Sequence, residues 1–424
     1  RRLCAEQGYR GDVQSVPVLP VLTVSRRTVL AERALLLLLF AAMAGIGLLT
    51  MARPLLEPVA PHLYVDGEPA LVGMQAAPPT RTAGLAGVWD GSAQRAADAW
   101  TSAHVAYRSL FVRSFNETLY RAFAASYMNN RTLVIGRKQT LFEKLYVDAY
   151  CGLRREDDRT PTTAFAQRVR AAQDWFASRG QHLIYALTPA KTTWFPERIG
   201  SAFRCPAEQR DRNYPAAIRA LTAAGVTFVD GRAVLEAARS RGLELFSRNG
   251  THWNALGAAL FVDALTDAMR RDGMRDVPRL RYEVSIEPVE HGGDNDLIDL
   301  ANLLWPPVGA PSPTVHILPP EVPGTRRMVS VNDSFMYAPA SLLIAGQIVR
   351  KLDFYYYFNI FHRLYPEMAD SHVDPTRTED MAPIFSADVV LLEEVEARWG
   401  GPLATHFLDM VDRMRERAGR FDRQ

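Results

Sequence analysis

The stretch MVSVNDSF (residues 328–335) carries the pattern on which the fold and the chemistry of this chain depend. Its first half contains two valines and a methionine and predicts a buried strand, while its second half brings Ser334 to the end of that strand. In open α/β sheets, reactive groups collect at the carboxyl ends of the strands. A serine becomes a useful nucleophile at neutral pH only when a histidine takes its proton. A catalytic role for Ser334 therefore requires a histidine from elsewhere in the chain.

The stretch NGTHWN (residues 249–254) supplies a candidate imidazole in His252, just before a predicted helix. If the fold brings His252 to Ser334, the pair predicts acyl-transfer chemistry. Two structural alternatives stay open. In the first, the role of Asp333 or Ser334 is purely structural, as the N-cap of a following helix. In the second, His252 is a structural histidine packed beneath Trp253.

Strands alternate with helices through most of the chain, with helices that often end at glycine. The predicted helices cover residues 96–128, 164–179, 215–224, 233–241 and 256–271, and the predicted strands cover residues 132–135, 182–187, 226–229, 327–331 and 387–392. This alternation predicts an α/β fold with a parallel central sheet flanked by helices on both faces. Residues 289–325 are rich in Gly, Pro and Asp and are expected to form an inserted loop region. In the first helix, the apolar side chains share one face; they are Leu110, Phe111, Phe115, Leu119 and Phe123.

The N-terminal region contains nineteen consecutive uncharged residues, 34–52, which is enough to cross a hydrocarbon core of ~30 Å. Arg26, Arg27 and Arg33 precede them, and this charge distribution predicts a cytoplasmic N-terminus with everything after Arg53 exported. The segment is apolar on all sides, unlike an amphipathic core helix. A retained signal anchor is the preferred interpretation, and a cleaved signal peptide is the alternative.

These features divide the chain into four expected parts. They are a cytoplasmic segment at residues 1–33, a transmembrane anchor at 34–52, a linker rich in Pro, Ala and Gly at 53–95, and a single α/β domain at 96–424. The 49 basic and 47 acidic residues give a net charge of +2, without the basic surplus of a nucleic-acid-binding protein. The nine histidines do not stand near cysteines at zinc spacing, so no metal site is expected.

Three cysteines occur in the chain. Cys4 would lie on the cytoplasmic side of the anchor, whereas Cys151 and Cys205 would lie on the exported side, where a disulfide can persist. A Cys151–Cys205 disulfide and two free buried cysteines both remain open from the sequence.

Five short motifs follow one another in a recognisable order. They are LVIGRKQTLF (133–142), TPAK with FPE (188–191 and 195–197), THWN with a later glycine (251–254 and 257), NDSF (332–335), and DVV with two later glutamates (388–390, 393 and 396). Together they resemble the exported polysaccharide O-acetyltransferases of the AlgJ/AlgX type, which contain an SGNH-hydrolase-like domain. The resemblance covers about residues 105 to 400, with Asn332 where that family usually has glycine.

The resemblance implies a role for each half of the predicted pair. Ser334 would be the acyl-accepting nucleophile and His252 its general base, moving acetyl groups through an acyl-serine to hydroxyls of an exported, alginate-like polysaccharide. No cofactor is implied. The implied partner is a multi-pass acyltransferase that delivers the acetyl group across the bacterial inner membrane to a domain in the periplasm.

One position departs from the family pattern. The family usually places an aspartate two residues before the histidine, where it holds the imidazole tautomer, but this chain has Gly250 there. The candidates for replacing it are Asp333, Asn249, Asp294 and Asp296; a backbone carbonyl is a further option, and a weakened or inactive enzyme is another.

Three further features have open interpretations. Lys191 is expected to support the active-site loop or contact a carboxylated sugar, and Asn254 is a further supporting candidate. The aromatic run at residues 353–358 predicts a buried element, with sugar stacking as the alternative. A carbohydrate esterase, using water as the acceptor, and a non-catalytic polysaccharide-binding scaffold remain rival functions.

Overall fold

A computed structural model of the protein describes residues 26–59, 71–73, 86–127, 133–153, 163–200, 203, 205–239, 242, 244–289, 292–366, 369–374 and 377–421. Cys4, most of the expected cytoplasmic segment and much of the expected linker lie outside these residues. The chain divides into two compact units, with residues up to 108, apart from 69–75, in the first. The expected domain start at residue 96 therefore falls within the first unit.

In its described residues, the first unit contains three helices, α1 (Arg26–Leu56), α2 (Ala86–Trp89) and α3 (Ser92–His104). Within α1, the 21 residues Arg33–Arg53 have a mean hydropathy of 2.4 and are almost entirely unburied. By length and composition this stretch can cross a membrane, and it contains the predicted apolar segment 34–52.

The second unit contains the remaining regular structure. Its helices are α4 (Arg108–Phe123, whose first residue belongs to the first unit), α5 (Lys144–Tyr150), α6 (Thr163–Ser178), α7 (Lys191–Trp194), α8 (Asn213–Ala223), α9 (Gly231–Arg239), α10 (Ala255–Arg271), α11 (Asp296–Leu300), α12 (Tyr337–Ala345), α13 (Thr378–Ser386) and α14 (Pro402–Phe421). Its strands are β1 (Leu133–Ile135), β2 (Leu141–Glu143), β3 (His182–Thr188), β4 (Phe228–Asp230), β5 (Arg281–Glu287), β6 (Ser312–Leu318), β7 (Arg327–Asn332), β8 (Lys351–Tyr356), β9 (Ile360–Tyr365), β10 (Ala369–His372) and β11 (Val389–Val395).

A seven-stranded sheet forms the centre of the second unit, in the order β10-β9-β8-β7-β11-β3-β4. The five strands from β8 to β4 are parallel. Four of them, β7, β11, β3 and β4, match predicted strands, whereas the strand predicted at 132–135 is β1, which pairs with β2 outside this sheet. The expectation of a wholly parallel sheet is wrong at one edge, because β9 and β10 are antiparallel. Only residues 357–359 join β8 to β9, which suits a hairpin and is far too short for the crossover that parallel neighbours require.

Two buried clusters of apolar side chains account for most of the core of this unit. One contains residues of α9, α10 and α12, and the other contains residues of α6, α8 and α14. Alternate residues of the central strands belong to the two clusters; in β11, Leu391 belongs to the first, and Val390 and Leu392 belong to the second. All seven residues of β11 are buried, as expected of a strand covered on both faces.

The region 289–325 is more ordered than its composition predicts. Within it, α11 forms a short helix, and β6 pairs in antiparallel fashion with β5 to make a separate two-stranded ribbon. The expectation of an inserted loop region is therefore wrong for these residues. Most of β5 is exposed or half-buried, so its sequence lacks the continuous apolar run that marks the strands of the central sheet.

The single helix predicted over residues 96–128 is two helices, α3 and α4, with Tyr107 between them at a positive φ of 57°. Its predicted apolar face is not a core face. Phe111 and Phe115 are exposed, whereas Ser109 and Asn116 are buried.

Candidate active site

Ser334 lies at the carboxyl end of β7, where the sequence places it. It begins a short 3₁₀ turn, Ser334–Met336, that leads into α12. Asp333 caps this turn, since its side chain accepts a hydrogen bond from the Phe335 N–H at 2.9 Å. The capping role considered for this segment therefore belongs to Asp333, and Ser334 stays half-buried beside it.

His252 lies in the segment that precedes α10, and its Nε2 atom is 2.9 Å from Oγ of Ser334. The two predicted halves of the site thus meet in the fold. The ring of Phe335 packs edge-on against the imidazole, with 4.9 Å between the ring centroids, and contacts the indole of Trp253 at 5.6 Å. These contacts fix the imidazole plane, while 28% of the His252 side chain remains exposed to an incoming substrate.

Lys191 and Asn254 hold the segment that carries His252. The Nζ atom of Lys191 donates to the carbonyl oxygens of Arg248 at 2.8 Å and Gly250 at 2.7 Å. The side chain of Asn254 caps α10 by accepting the Gly257 N–H at 3.1 Å. Lys191 is only 2% exposed, so it is placed to support the loop rather than to meet a polymer in solvent.

The second imidazole nitrogen faces a carboxylate. Nδ1 of His252 is 3.7 Å from Oδ2 of Asp296, the first residue of α11. The other oxygen, Oδ1, accepts the Thr251 N–H at 2.7 Å, which fixes the carboxylate beside the histidine. Asn249 positions α11 through its backbone, since its carbonyl oxygen accepts the N–H groups of Leu297 and Ile298 at 3.0 and 3.1 Å.

The other candidates for orienting His252 make different contacts. The Asp294 carboxylate accepts from Ser312 at 2.9 Å, and the Asn249 amide lies 3.5 Å from the side-chain oxygen of Asn295. The Asp333 carboxylate accepts backbone N–H groups on both oxygens, from Phe335 and from Val395. Among the described residues, Asp296 is the carboxylate within 4 Å of a His252 nitrogen.

The electrostatic surroundings favour a neutral imidazole. Burial lowers the pKa of His252 below its ordinary value, and the charges of Asp296 and Asp333 oppose this shift. A neutral histidine can accept the hydroxyl proton of Ser334, and a nearby carboxylate can then stabilise the imidazolium that forms. Burial also raises the pKa of Asp333, against the hydrogen bonds that it accepts.

Two residues beside the serine were not singled out from the sequence. Tyr357, at a positive φ of 47° in the β8–β9 turn, has a pKa raised by burial and then by Asp333, while Ser334 opposes this rise as a hydrogen-bonding neighbour. The guanidinium of Arg398 lies 5.3 Å from the centroid of the Tyr357 ring. Its buried Nε atom has no hydrogen-bond partner among the described residues. The aromatic run at 353–358 pointed towards Tyr357, but its buried part is strand β8.

Buried carboxylates on β11 brace the strand ends beneath the site. Glu393 accepts the hydroxyl of Thr188 at 2.6 Å and the N–H of Asp333 at 3.1 Å, joining the ends of β3 and β7. Glu394 accepts the hydroxyl of Tyr185 at 3.0 Å, and burial raises its pKa to about 8. These groups position the backbone around Ser334.

Cys151 and Cys205 form a disulfide. Cys151 directly follows α5, and that helix carries Tyr146, whose ring packs edge-on against Phe335 with 6.1 Å between centroids. The disulfide therefore secures a helix that contacts the residue packed on His252. Within the described ranges, His, Cys, Asp and Glu side chains form no group of three or more that could hold a metal ion.

Comparison with known proteins finds similarity over part of the chain. Residues 133–322 match the model described as SGNH hydrolase-like domain, acetyltransferase AlgX, a range that includes His252 and Asp296. The probable alginate O-acetylase AlgJ of Pseudomonas aeruginosa is 33% identical over 127 residues, or 30% of this chain and 32% of the relative. Its counterpart in Pseudomonas syringae pv. tomato is 29% identical over 163 residues, which are 38% of this chain and 40% of the relative. The chain thus spans well under half the length of these curated relatives.

Among solved structures, the O-acetyltransferase domain of Pseudomonas putida AlgJ is 21% identical, with a TM-score of 0.45, and the match covers 67% of this chain and 99% of that one. Pseudomonas aeruginosa AlgX is 15% identical, with a TM-score of 0.39 and coverage of 68% and 70%. The resemblance to the AlgJ/AlgX type is confirmed by this match, which includes the first three of the five motifs, and by the relatives named as probable alginate O-acetylases. Residues 133–322, somewhat under half of the chain, are thus similar to the AlgX family of SGNH hydrolase-like acetyltransferase domains.

Proposed function

We propose that this protein is a serine O-acetyltransferase that moves acetyl groups onto hydroxyls of an exported, alginate-like polysaccharide. The observation that carries the proposal is the 2.9 Å separation between Nε2 of His252 and Oγ of Ser334, at the carboxyl edge of the sheet. The family match and the relatives named as probable alginate O-acetylases support the reaction class and the type of acceptor.

The first half of the reaction loads the serine. Oγ of Ser334 attacks the carbonyl carbon of the acetyl donor as its proton passes to Nε2 of His252, and a tetrahedral oxyanion forms. The oxyanion collapses, the bond to the donor oxygen breaks, and His252 returns the proton to that leaving group. Asp296 stabilises the transient imidazolium through its position near Nδ1.

The second half transfers the acetyl group to the polymer. A sugar hydroxyl attacks the acyl-serine while His252 takes its proton, and the new ester forms as the bond to Oγ breaks. His252 then protonates Ser334 and the enzyme is regenerated. These steps call for no cofactor.

The developing oxyanion needs hydrogen-bond donors, each worth ~3–4 kcal/mol in sites of this kind. The Phe335 N–H is already held by Asp333. We therefore assign this role to the Ser334 N–H and to the hydroxyl of Tyr357, a hydrogen-bonding neighbour of Ser334. Arg398, beside the Tyr357 ring, adds positive charge to the same side of the site.

The setting of the reaction is part of the proposal. The apolar stretch Arg33–Arg53 would anchor the chain in the bacterial inner membrane, with the catalytic unit in the periplasm. The acetyl donor would be supplied from a multi-pass acyltransferase in the same membrane. The scaffold alternative arose from Gly250, and the carboxylate of Asp296 near Nδ1 removes that reason for it.

The decisive experiment uses the full chain in detergent or nanodiscs, with p-nitrophenyl acetate as the donor and a mannuronate oligosaccharide as the acceptor. Mass spectrometry of the saccharide measures transfer, and release of acetate measures hydrolysis. We expect Ser334→Ala to abolish transfer, whereas Ser341→Ala, at an exposed serine on α12, leaves it unchanged. Transfer that survives Ser334→Ala contradicts the nucleophile assignment, and hydrolysis without transfer favours an esterase.

A further inference from the structure

Helix α4 is set into the protein with its polar side inward. Its buried residues are Ser109, Asn116, Glu117 and Tyr120. These positions fall on one stripe of a helical wheel, so they form a continuous buried face. A helix on the surface of a globular protein normally buries its apolar stripe and exposes its polar one, which is the reverse of what α4 does.

Hydrogen bonds to residues 301–305 fix this rotation of the helix. The amide of Asn116 donates to the carbonyl of Ala301 at 2.9 Å, and Arg113 donates to the carbonyl of Leu303 at 3.1 Å. The carboxylate of Glu117 accepts the N–H of Trp305 at 3.2 Å. Rotating α4 to bury its phenylalanines would break these bonds and leave buried polar groups without partners.

The outward side of α4 is aromatic. We define the outer face of α4 as the exposed side chains of Phe111, Phe115, Phe123, Tyr127 and Trp305, which are between 44% and 70% exposed. Phe115 and Tyr127 meet edge-on with 6.2 Å between centroids, and Arg121 holds the carbonyl of Trp305 at 2.9 Å. Several large aromatic side chains grouped on one surface mark an interaction site.

The composition of this face suits a lipid surface. Tyrosine and tryptophan concentrate at the headgroup level of bilayers, where phenylalanine can insert just below. The helix carries three arginines, at positions 108, 113 and 121, against one glutamate at 117. Arg113 is turned inward to the Leu303 carbonyl, but half of the Arg121 side chain is exposed although it pairs with Glu117, and a net positive helix complements anionic headgroups. The same chain holds the apolar stretch Arg33–Arg53, which would keep α4 near a bilayer at high effective concentration.

We propose that the outer face of α4 docks on the phospholipid bilayer that holds the chain's own anchor. The helix would lie in the plane of the interface, with its phenylalanines in the acyl boundary and its buried polar side against residues 301–305 of the catalytic unit. Such docking presents that unit to the membrane in one orientation. The inference rests on the anchorage included in the proposed function.

The test uses the full chain in vesicles of phosphatidylcholine and phosphatidylglycerol, with Cys4→Ser so that the third cysteine cannot take up label. Phe111→Cys is labelled with a nitrobenzoxadiazole fluorophore, and Glu416→Cys, at an exposed position on α14, is the matched control. A second probe at Trp305→Cys guards against a variant that misfolds. Flotation of the vesicles reports anchorage independently of the label.

We expect the labels at positions 111 and 305 to shift to shorter emission wavelengths, to lose iodide quenching several-fold and to be quenched by lipids with doxyl acyl chains. The label at position 416 should remain in water. If the chain floats with the vesicles but all three labels are equally accessible to iodide, the docking inference is wrong while anchorage stands. If the labels at positions 111 and 305 are protected from iodide only in native membranes, the face binds a protein partner, and the inference is again wrong. If the chain does not float, anchorage fails and the inference fails with it.

Discussion

Asp296 holds one carboxylate oxygen 3.7 Å from Nδ1 of His252 and the other 2.7 Å from the N–H of Thr251. The carboxylate thus reaches the histidine from α11, whereas the family pattern supplies it two residues before the histidine, at the position of Gly250. The charge is present at the imidazole although the expected residue is absent.

Replacing Asp296 with Asn should therefore lower kcat/KM for acetyl transfer by about 10²–10⁴-fold, because the imidazolium loses its nearby counter-charge. Steady-state kinetics with the donor and oligosaccharide used above measure the loss. Asp299→Asn, on the same helix, is the matched control and should be nearly neutral. If Asp296→Asn retains full activity, another group orients the histidine.

The pH profile should show the titration of His252. Burial places its pKa below the ordinary 6.5, so we expect kcat/KM to fall only as the pH drops below that value and the base becomes protonated. Asp296 raises this pKa, so Asp296→Asn should move the acidic limb to still lower pH. A purely structural role for Asp296 would reduce the rate without moving the limb, and that result would contradict the electrostatic role.

Tyr357→Phe removes one hydroxyl beside Ser334. If that hydroxyl donates to the oxyanion, kcat should fall by about 10²–10³-fold with little change in KM, because the interaction strengthens in the transition state. Tyr355→Phe offers a comparison, since its hydroxyl donates to the carbonyl of Asp380, in helix α13. A loss confined to KM would assign Tyr357 to substrate binding instead.

The Cys151–Cys205 disulfide closes a loop with a sequence separation of 54. The chain-entropy model gives about 4 kcal/mol for a loop of this length, so Cys151→Ser with Cys205→Ser should lower the free energy of unfolding by up to that amount. Chemical denaturation with and without reductant measures the effect. A wild-type protein whose stability does not respond to reductant would show that the loop is held by other contacts.

The buried carboxyl of Glu394 should make the free energy of unfolding depend on pH. Burial raises its pKa from 4.5 to about 8, so between these values the folded state holds a proton that the unfolded state has released. Its contribution to stability therefore decreases as the pH rises through this window, by up to about 1.4 kcal/mol per pH unit. Glu394→Gln imitates the protonated form, and we expect its Tm to fall less than that of the wild type between about pH 6 and pH 8. Parallel Tm profiles would contradict this expectation.

The sequence predicts the central sheet better than its edges for a physical reason. Strands such as β7 and β11 are covered on both faces, so they contain segments rich in apolar residues, MVSV in β7 and VVLL in β11. Strands β5 and β10 are largely exposed and carry no comparable run. A buried strand requires apolar side chains, so its sequence shows a recognisable pattern. An exposed strand is held by backbone hydrogen bonds, which any side chain allows.

The site shows the same division. Ser334 and His252 each occur in a short motif, and from these motifs the sequence predicts that the two side chains form a pair. The sequence offers several carboxylates besides Asp296, and which of them reaches the imidazole depends on how α11 packs against the segment before His252. Arg398 carries no local signal, because its place beside Tyr357 arises from the meeting of the segment after β11 with the β8–β9 turn.

Placing the carboxylate on α11 has a consequence for how activity is lost. An aspartate two residues from the histidine would stay near it even in a partly opened chain, but Asp296 reaches His252 only while α11 is docked through the carbonyl of Asn249. Local opening of this small element costs less free energy than global unfolding. On warming, catalytic activity should therefore be lost at a lower temperature than that of global unfolding. The docking of one short helix would set the upper temperature of catalysis.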